Sequence, residues 1–152
     1  MNEKKRRLYF EIVDKNIQQN GFHVTYVMES KNFSPFGYST GLYRNFRIPE
    51  AFVSGLPNGL TNTLITNYAQ IFKDKNVPLN EKLNNLIDRF PIYIISVKSR
   101  DLVEQFLSSF RFYEASHFDC VQIIFPDLEG RFPGENGYAY DQEIFGQLPT
   151  KG

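Results

Sequence analysis

The sequence predicts an α+β fold: a single domain of 152 residues with a mainly antiparallel sheet and helices packed on one face. Three observations favour this class. Residues 22–29 alternate between apolar and polar residues, which is typical of a half-buried strand. Other short apolar runs are bounded by turn residues, and stretches of helical spacing lie between some of them. Finally, the first three strands have short links, which favour antiparallel pairing.

The elements follow in order. An amphipathic helix is expected within residues 1–20, because Tyr9, Val13 and Ile17 stand four residues apart and Gly21 follows as a stop. Strands are predicted over residues 22–29, 36–43, 49–56, 92–97 and 120–126. Helices are predicted over residues 60–73 and around residues 102–110, and residues 80–88 are compatible with a short one. Residues 134–152 lack periodicity and predict an irregular tail, packed on the surface through Tyr138, Tyr140 and Phe145.

Charge and composition exclude several classes of function. Lys plus Arg equals Asp plus Glu at 17 each, so electrostatics favour neither a nucleic-acid partner nor an acidic membrane. The basic cluster at residues 4–7 is interpreted as a solvated helix start. No apolar run has the length of a membrane helix, and no signal-peptide core follows the basic start. We therefore expect a cytoplasmic protein with no membrane partner.

The cysteine and histidine content favours neither a metal site nor a thiol nucleophile. With two histidines and no ligand spacing, no metal site is predicted. The only cysteine, Cys120, lies in an apolar run and is interpreted as a small buried hydrophobic residue. Its nearest histidine in sequence, His117, lies about 10 Å away along an extended chain and on the other face.

Residues 36–42 contain small and large residues in alternation. Gly37, Ser39 and Gly41 share one face of the predicted strand, so something approaches its backbone closely. A packed helix or aromatic ring is the favoured occupant. The alternative is a ligand bound by the backbone amides, the Ser39 hydroxyl and Thr40.

The last predicted strand ends in a polar corner. Gln122 interrupts an apolar run and is expected to be hydrogen-bonded inside the protein. Beyond it, Asp127 and Arg131 flank a turn and are predicted to contact each other, near Ser39 and on the rim of the largest pocket. In the functional hypothesis, Gln122 and Arg131 bind a ligand and Asp127 acts as general base, helped by Tyr38 or His23. In the structural hypothesis, Asp127 and Arg131 only pair across the turn.

Two stretches together resemble a known family. Residues 36–42, Phe-Gly-Tyr-Ser-Thr-Gly-Leu, followed by Pro49-Glu50, resemble an F-x-Y-T-x-G-L…P-E pattern. Residues 122–133, Gln-Ile-Ile-Phe-Pro-Asp-Leu-Glu-Gly-Arg-Phe-Pro, resemble a Q-L-V-W-P-D-x-x-G-R-F-P pattern. Both belong to the domain of unknown function 4262 family, and the resemblance covers about residues 20–148. The chain departs from the patterns in having Ser39 for Thr, Phe125 for Trp, and Gly134 where Trp often follows. The resemblance implies a soluble bacterial protein and no particular reaction or cofactor.

The functional expectation is a small bacterial protein that binds a small polar or anionic ligand at a pocket near the end of strand 120–126. Whether it is an enzyme is left open. One alternative is a non-catalytic interaction protein of the immunity or antagonist type, which uses its Tyr- and Phe-rich tail as a contact surface. Another is a relative of the flavin-binding split barrels, by analogy of layout only.

Overall fold

The computed structural model describes residues 2–149, which form one five-stranded sheet in the order β1-β2-β3-β5-β4. The strands are β1 (His23–Val27), β2 (Phe36–Thr40), β3 (Glu50–Ser54), β4 (Tyr93–Val97) and β5 (Cys120–Ile124). All neighbouring strands are antiparallel except β3 and β5, which run parallel. The predicted α+β class and mainly antiparallel sheet are confirmed. Each strand lies inside its predicted range and is shorter than that range.

The described residues also form four α-helices and one 3-10 helix. They are α1 (Glu3–Asn20), α2 (Leu42–Asn45), α3 (Asn58–Phe72), the 3-10 helix Ser99–Leu102 and α4 (Leu107–Phe112). As predicted, α1 stops at Gly21, which adopts a φ of 89° and donates its N–H to the Ile17 carbonyl. The short helix α2 was not predicted, and residues 80–88 form no helix. None of the described helices has the length and apolar character needed to span a membrane.

The helices cover both faces of the sheet, which differs from the single covered face expected from the sequence. Helix α3 packs on one face through Leu64 and Ile65, against Val53 of β3. Phe106, at the start of α4, packs on the other face against Phe52. The physical reason is that every residue of β2, β3 and β5 is buried. Strands buried on both faces need a covering layer on each side.

The C-terminal segment completes the second face. Its residues 134–149 contain neither helix nor strand, as predicted, while residues 150–152 lie outside the described part. Phe145 packs edge-on against Phe52, with ring centroids 5.3 Å apart. The Gln142 carboxamide accepts from the Phe125 amide at 3.3 Å and donates to the Phe125 carbonyl at 3.0 Å. Gln142 thus replaces a neighbouring strand at the point where β5 leaves the sheet.

Candidate functional site

Ser39 and Asp127, two of the polar residues singled out in the sequence, lie at opposite ends of the sheet. Ser39 lies beside the first residues of β3, where its hydroxyl accepts from the Ala51 amide at 2.8 Å. β5 begins at the same end, since Glu50 is in register with Cys120. Asp127 follows the last residue of β5, and seven residues of extended chain span roughly 20 Å. The expectation that Arg131 lies near Ser39 is therefore wrong, because β3 and β5 run parallel, with Ser39 beside the start of β3 and Arg131 beyond the end of β5.

Glu50 is the centre of the first cluster. Its fully buried carboxylate accepts from the amides of Gly41 at 2.9 Å, Leu42 at 3.2 Å and Tyr43 at 3.2 Å. The Ser39 hydroxyl donates to it at 2.7 Å, and the Tyr113 hydroxyl donates a further hydrogen bond. The three amides open helix α2 and have no carbonyl partner within that helix. Glu50 therefore caps α2 from the neighbouring strand.

The hydroxyl groups of Ser39 and Tyr113 act as hydrogen-bond donors to the Glu50 carboxylate. Ser39 accepts from Ala51, and Tyr113 accepts from the Arg44 amide at 3.2 Å, so each has one proton left for Glu50. Burial raises the pKa of Glu50, while the hydrogen bonds from Tyr113, Ser39 and the amides act in the opposite direction. Burial and the nearby Glu50 carboxylate also raise the pKa of Tyr113. The tyrosine therefore stays protonated and remains a donor.

Cys120 lies close to this cluster and is inert as a nucleophile. Burial, followed by the charge of Glu50, raises the pKa of its thiol to about 12. The Sγ atom donates to the Val97 carbonyl at 3.3 Å. A protonated, buried thiol is a poor nucleophile, in agreement with the structural interpretation of this residue.

The small residues of β2 make room for backbone and for helix α3. A Cβ atom at Gly37 would lie 2.3 Å from the Thr61 methyl carbon of α3. One at Gly41 would lie 2.6 Å from the Gly21 carbonyl oxygen. Helix packing, the favoured hypothesis, accounts for Gly37. Thr40 is also buried, and its hydroxyl shares a 2.8 Å hydrogen bond with Ser109.

Asp127 is the centre of the second cluster, and its carboxylate is fully occupied. It accepts from the amides of Glu129 at 2.9 Å, Arg131 at 2.9 Å and Ala139 at 3.1 Å. The Arg131 guanidinium donates through Nε at 2.9 Å, so the predicted contact between Asp127 and Arg131 is confirmed. Burial would raise the pKa of Asp127, but the hydrogen bonds from Arg131 and from the amides hold it below its ordinary value. This geometry is that of a structural corner.

Gln122 joins the sheet to the C-terminal segment. Its carboxamide donates to the Glu143 carbonyl at 2.6 Å and accepts from the Phe145 amide at 3.0 Å. The side chain is fully buried. The prediction that Gln122 is hydrogen-bonded inside the protein is confirmed, and its partners are the backbone of the tail.

The two helper residues named with Asp127 lie away from it. Tyr38 pairs with Thr25 across β1 and β2, and its hydroxyl accepts from the Ser108 amide at 3.0 Å. His23 is half-buried, and its Nδ1 lies 3.0 Å from the Asn16 side-chain nitrogen. Burial lowers the pKa of His23. Neither the Tyr38 hydroxyl nor the His23 imidazole is hydrogen-bonded to Asp127. Within residues 2–149, no group of acidic, histidine or cysteine side chains is arranged to hold a metal ion.

A cavity of about 440 Å³ lies at the carboxyl end of β5, beside the Asp127 corner. Apolar side chains form much of its wall, among them Leu56, Leu60, Phe90 and Phe125. Arg89 lies at the same cavity, while Arg131 is not among its lining residues. This cavity is not the largest, since one of about 760 Å³ lies beside Asn67 and Ile71, and Arg131 lines neither of the two. The prediction that Arg131 lies on the rim of the largest pocket is therefore wrong for both cavities, and the cation at this one comes from another segment.

Arg89 was not singled out in the sequence, because residues 74–90 have no periodicity from which to place a side chain. In the structure, this segment runs between α3 and β4. The first turn of α3 lies at the same cavity through Pro57 and Leu60, and no side chain caps that helix. Arg89 and the positive end of a helix dipole thus lie at one largely apolar cavity.

Residues 16–139, most of the chain, match the family described as Domain of unknown function (DUF4262). The chain belongs to the DUF4262 family. No curated protein and no solved structure matches it.

In this DUF4262 protein, each of the two sequence motifs surrounds one buried carboxylate. Ser39, Gly41 and Leu42 of the first motif all bind Glu50, which closes that motif. Arg131 of the second motif binds Asp127. Pro49-Glu50 belongs to the first motif, but the role of Glu50 as a cap is apparent only from the packing of β2 against β3. The motif residues Phe125, Pro126 and Asp127 also line the 440 Å³ cavity.

Proposed function

We propose that this DUF4262 protein binds a small anion with an apolar body in the cavity at the carboxyl end of β5. The observation that carries this proposal is the combination of apolar walls with the Arg89 guanidinium in a space of about 440 Å³. Small-molecule sites have volumes of roughly 300–1,000 Å³, mostly apolar walls and a few polar groups. The proposal keeps the ligand class expected from the sequence and replaces Arg131 by Arg89.

The electrostatics of the cavity favour an anion. Within residues 2–149, no carboxylate forms an ion pair with Arg89, whereas Asp127 already pairs with Arg131. A guanidinium binds carboxylate or phosphate through two parallel hydrogen bonds. Helix α3 adds the positive end of its dipole at Asn58. An anionic head beside Arg89 would thus gain from both groups.

The chemistry of Asp127 supports binding rather than catalysis. A general base needs a lone pair directed at the substrate. Three amides and one guanidinium already donate to the two carboxylate oxygens of Asp127. Taking a proton would break this network and release the turn, so we assign Asp127 to the support of the cavity. A bacterial origin and a cytoplasmic location, as expected from the sequence, are part of the same proposal.

Ligand binding can be tested with three simple anions: benzoate, hexanoate and phenyl phosphate. We expect at least one of them to raise the melting temperature and to bind by calorimetry. The Arg89→Ala variant should bind about tenfold more weakly, since loss of a charge-assisted pair costs on the order of 1.4 kcal/mol. Arg100→Ala is the matched control, because Arg100 is an exposed arginine of the 3-10 helix.

A second variant tests the walls. Leu60→Trp should fill the cavity and weaken binding while the protein stays folded. Failure of all three anions to bind, or equal binding by Arg89→Ala and Arg100→Ala, would overturn the proposal. That result would favour the interaction-protein alternative, whereas a yellow purified protein would favour the flavin alternative.

A further inference from the structure

A second cavity, of about 540 Å³, lies beneath helix α1 on the other side of strand β1 from α3. It is partly open to solvent and is bordered by α1, the hairpin β1–β2 and the start of α4. Its wall is rich in aromatic and aliphatic side chains: Tyr9, Phe10, Phe33, Phe36, Tyr38 and Leu107. This cavity shares no lining residue with the cavity at Arg89.

The hydroxyls of Tyr9, Thr25 and Tyr38 in this wall are hydrogen-bonded within the protein. The hydroxyls of Tyr9 and Thr25 share a hydrogen bond of 2.8 Å. The Tyr38 hydroxyl accepts from the Ser108 amide at 3.0 Å. The rings therefore offer mainly carbon to the cavity, and the buried part of a ligand has to be apolar.

Two opposite charges also line this cavity. Arg6 of α1 and Glu104, just before α4, are both among its lining residues. Neither forms an ion pair with another residue of the described range 2–149. Arg111 of α4 contacts α1 instead: its two terminal nitrogens each lie 3.0 Å from a carboxylate oxygen of Asp14, and its guanidinium lies 4.2 Å from the ring centroid of Phe10. Arg6 and Glu104 are thus available to a ligand that carries both charges.

We propose that this second cavity binds an apolar α-amino acid as its zwitterion. The side chain would lie among the aromatic rings, the carboxylate against Arg6 and the ammonium group against Glu104. An apolar body with one positive and one negative group matches both the wall and the charges, whereas a simple anion leaves Glu104 facing it with like charge. Arg6, Tyr9 and Phe10 lie outside the family match at residues 16–139, so the site is assigned to this chain and not to the whole family.

Calorimetry with three related compounds tests the inference on the intact protein. L-phenylalanine should bind, whereas 3-phenylpropanoate lacks the ammonium group and phenethylamine lacks the carboxylate, so each should bind at least tenfold more weakly. Arg6→Ala and Glu104→Gln should each weaken phenylalanine binding about tenfold. Arg6→Ala should leave phenethylamine unchanged, because that compound has no group for Arg6.

Matched variants locate the ligand. Arg7→Ala and Glu11→Gln alter exposed charges on the same helix and should leave binding unchanged. Arg89→Ala should also leave it unchanged, which separates this site from the proposed anion site. Val27→Phe should fill the cavity and abolish binding, with the melting temperature showing that the variant is folded, and Val103→Phe is its exposed control. Absence of phenylalanine binding, equal binding of 3-phenylpropanoate, or retained binding by Val27→Phe would each overturn the inference.

Discussion

Two individual residues, Glu50 and Asp127, have buried carboxylates that accept hydrogen bonds from backbone amides in place of backbone carbonyls. Glu50 satisfies the amides that open α2, and Asp127 satisfies the amides of a turn. An ionised carboxylate has about four lone-pair directions and only accepts, so it suits a cluster of donors. Both carboxylates therefore stabilise the fold, and any chemistry would have to be carried out by other groups nearby.

Glu50→Gln tests the cap on α2. A carboxamide would turn its NH₂ group towards at least one amide that now donates to Glu50, whichever way it is flipped. We expect a loss of about 3 kcal/mol in the free energy of unfolding, as for a buried charged partner removed from its network. Chemical denaturation measures the loss, with exposed Glu114→Gln as the control. Equal stability of the two variants would contradict the cap.

Asp127 makes the free energy of unfolding depend on pH in a direction that its pKa determines. Its folded-state pKa lies below the ordinary value of 3.8. Its stabilisation is thus complete above the unfolded pKa and is lost as the pH falls through the folded pKa. In Asp127→Asn, the difference in unfolding free energy from wild type should be present at pH 7 and shrink below about pH 4. Asp88→Asn, at an exposed position, should show no such change. A constant difference for Asp127→Asn across this range would contradict the assigned pKa direction.

Some of these side-chain contacts could be predicted from the sequence. Gln122 in an apolar run had to find partners, and Asp127 and Arg131 were placed by the turn between them. Glu50 could not be assigned in this way, because its donors come from β2, α2 and Tyr113, which are separated from it along the chain. Spacing along one segment does not reveal such a convergence.

Among the secondary-structure elements, the absence of a side chain at Gly37 of β2 sets how closely α3 approaches the sheet. Gly37→Ala should destabilise the protein by about 1–3 kcal/mol, the usual cost of an overpacked core. Thr61→Ser in the same chain should restore much of this loss, since serine lacks the Thr61 methyl group and keeps the hydroxyl that donates to the Leu56 carbonyl. Chemical denaturation of the two single variants and the double variant gives the coupling. Strictly additive losses would contradict the proposed contact.

The C-terminal segment is the second element with a specific anchor. Gln122→Leu should fold, but the Glu143 carbonyl and the Phe145 amide lose their partner, at about 1–3 kcal/mol. Gln122→Ala should lose more stability, because it also removes buried side-chain volume. Hydrogen exchange should show faster exchange at residues 142–149 in both variants and not in the exposed control Gln70→Leu. Unchanged exchange there would show that other contacts hold the segment.

At the scale of the whole molecule, strand existence was predictable and strand placement was not. Period-two alternation and short apolar runs located all five strands, because burial leaves its pattern along each segment. α3, β4 and α4 separate β3 from β5 along the chain, so the parallel pairing of these two strands depends on how the intervening elements pack. No pattern within a single segment predicts that packing. That one pairing separated Ser39 from Asp127 and divided the predicted site. For a related reason, the sequence did not predict that helices cover both faces of the sheet. An apolar run shows that a strand is buried and does not show which element buries it.

Anion binding through Arg89 in the cavity at the carboxyl end of β5 can be tested residue by residue. The experiment is a titration of ¹⁵N-labelled protein with the anion that raises the melting temperature most, followed by amide chemical shifts. We expect the shifts to concentrate at Gly55, Leu60, Arg89 and Leu128, and to disappear in Arg89→Ala while the rest of its spectrum is retained. Shifts concentrated around Ser39 and Glu50 instead, or shifts of equal size in Arg89→Ala, would contradict the claim.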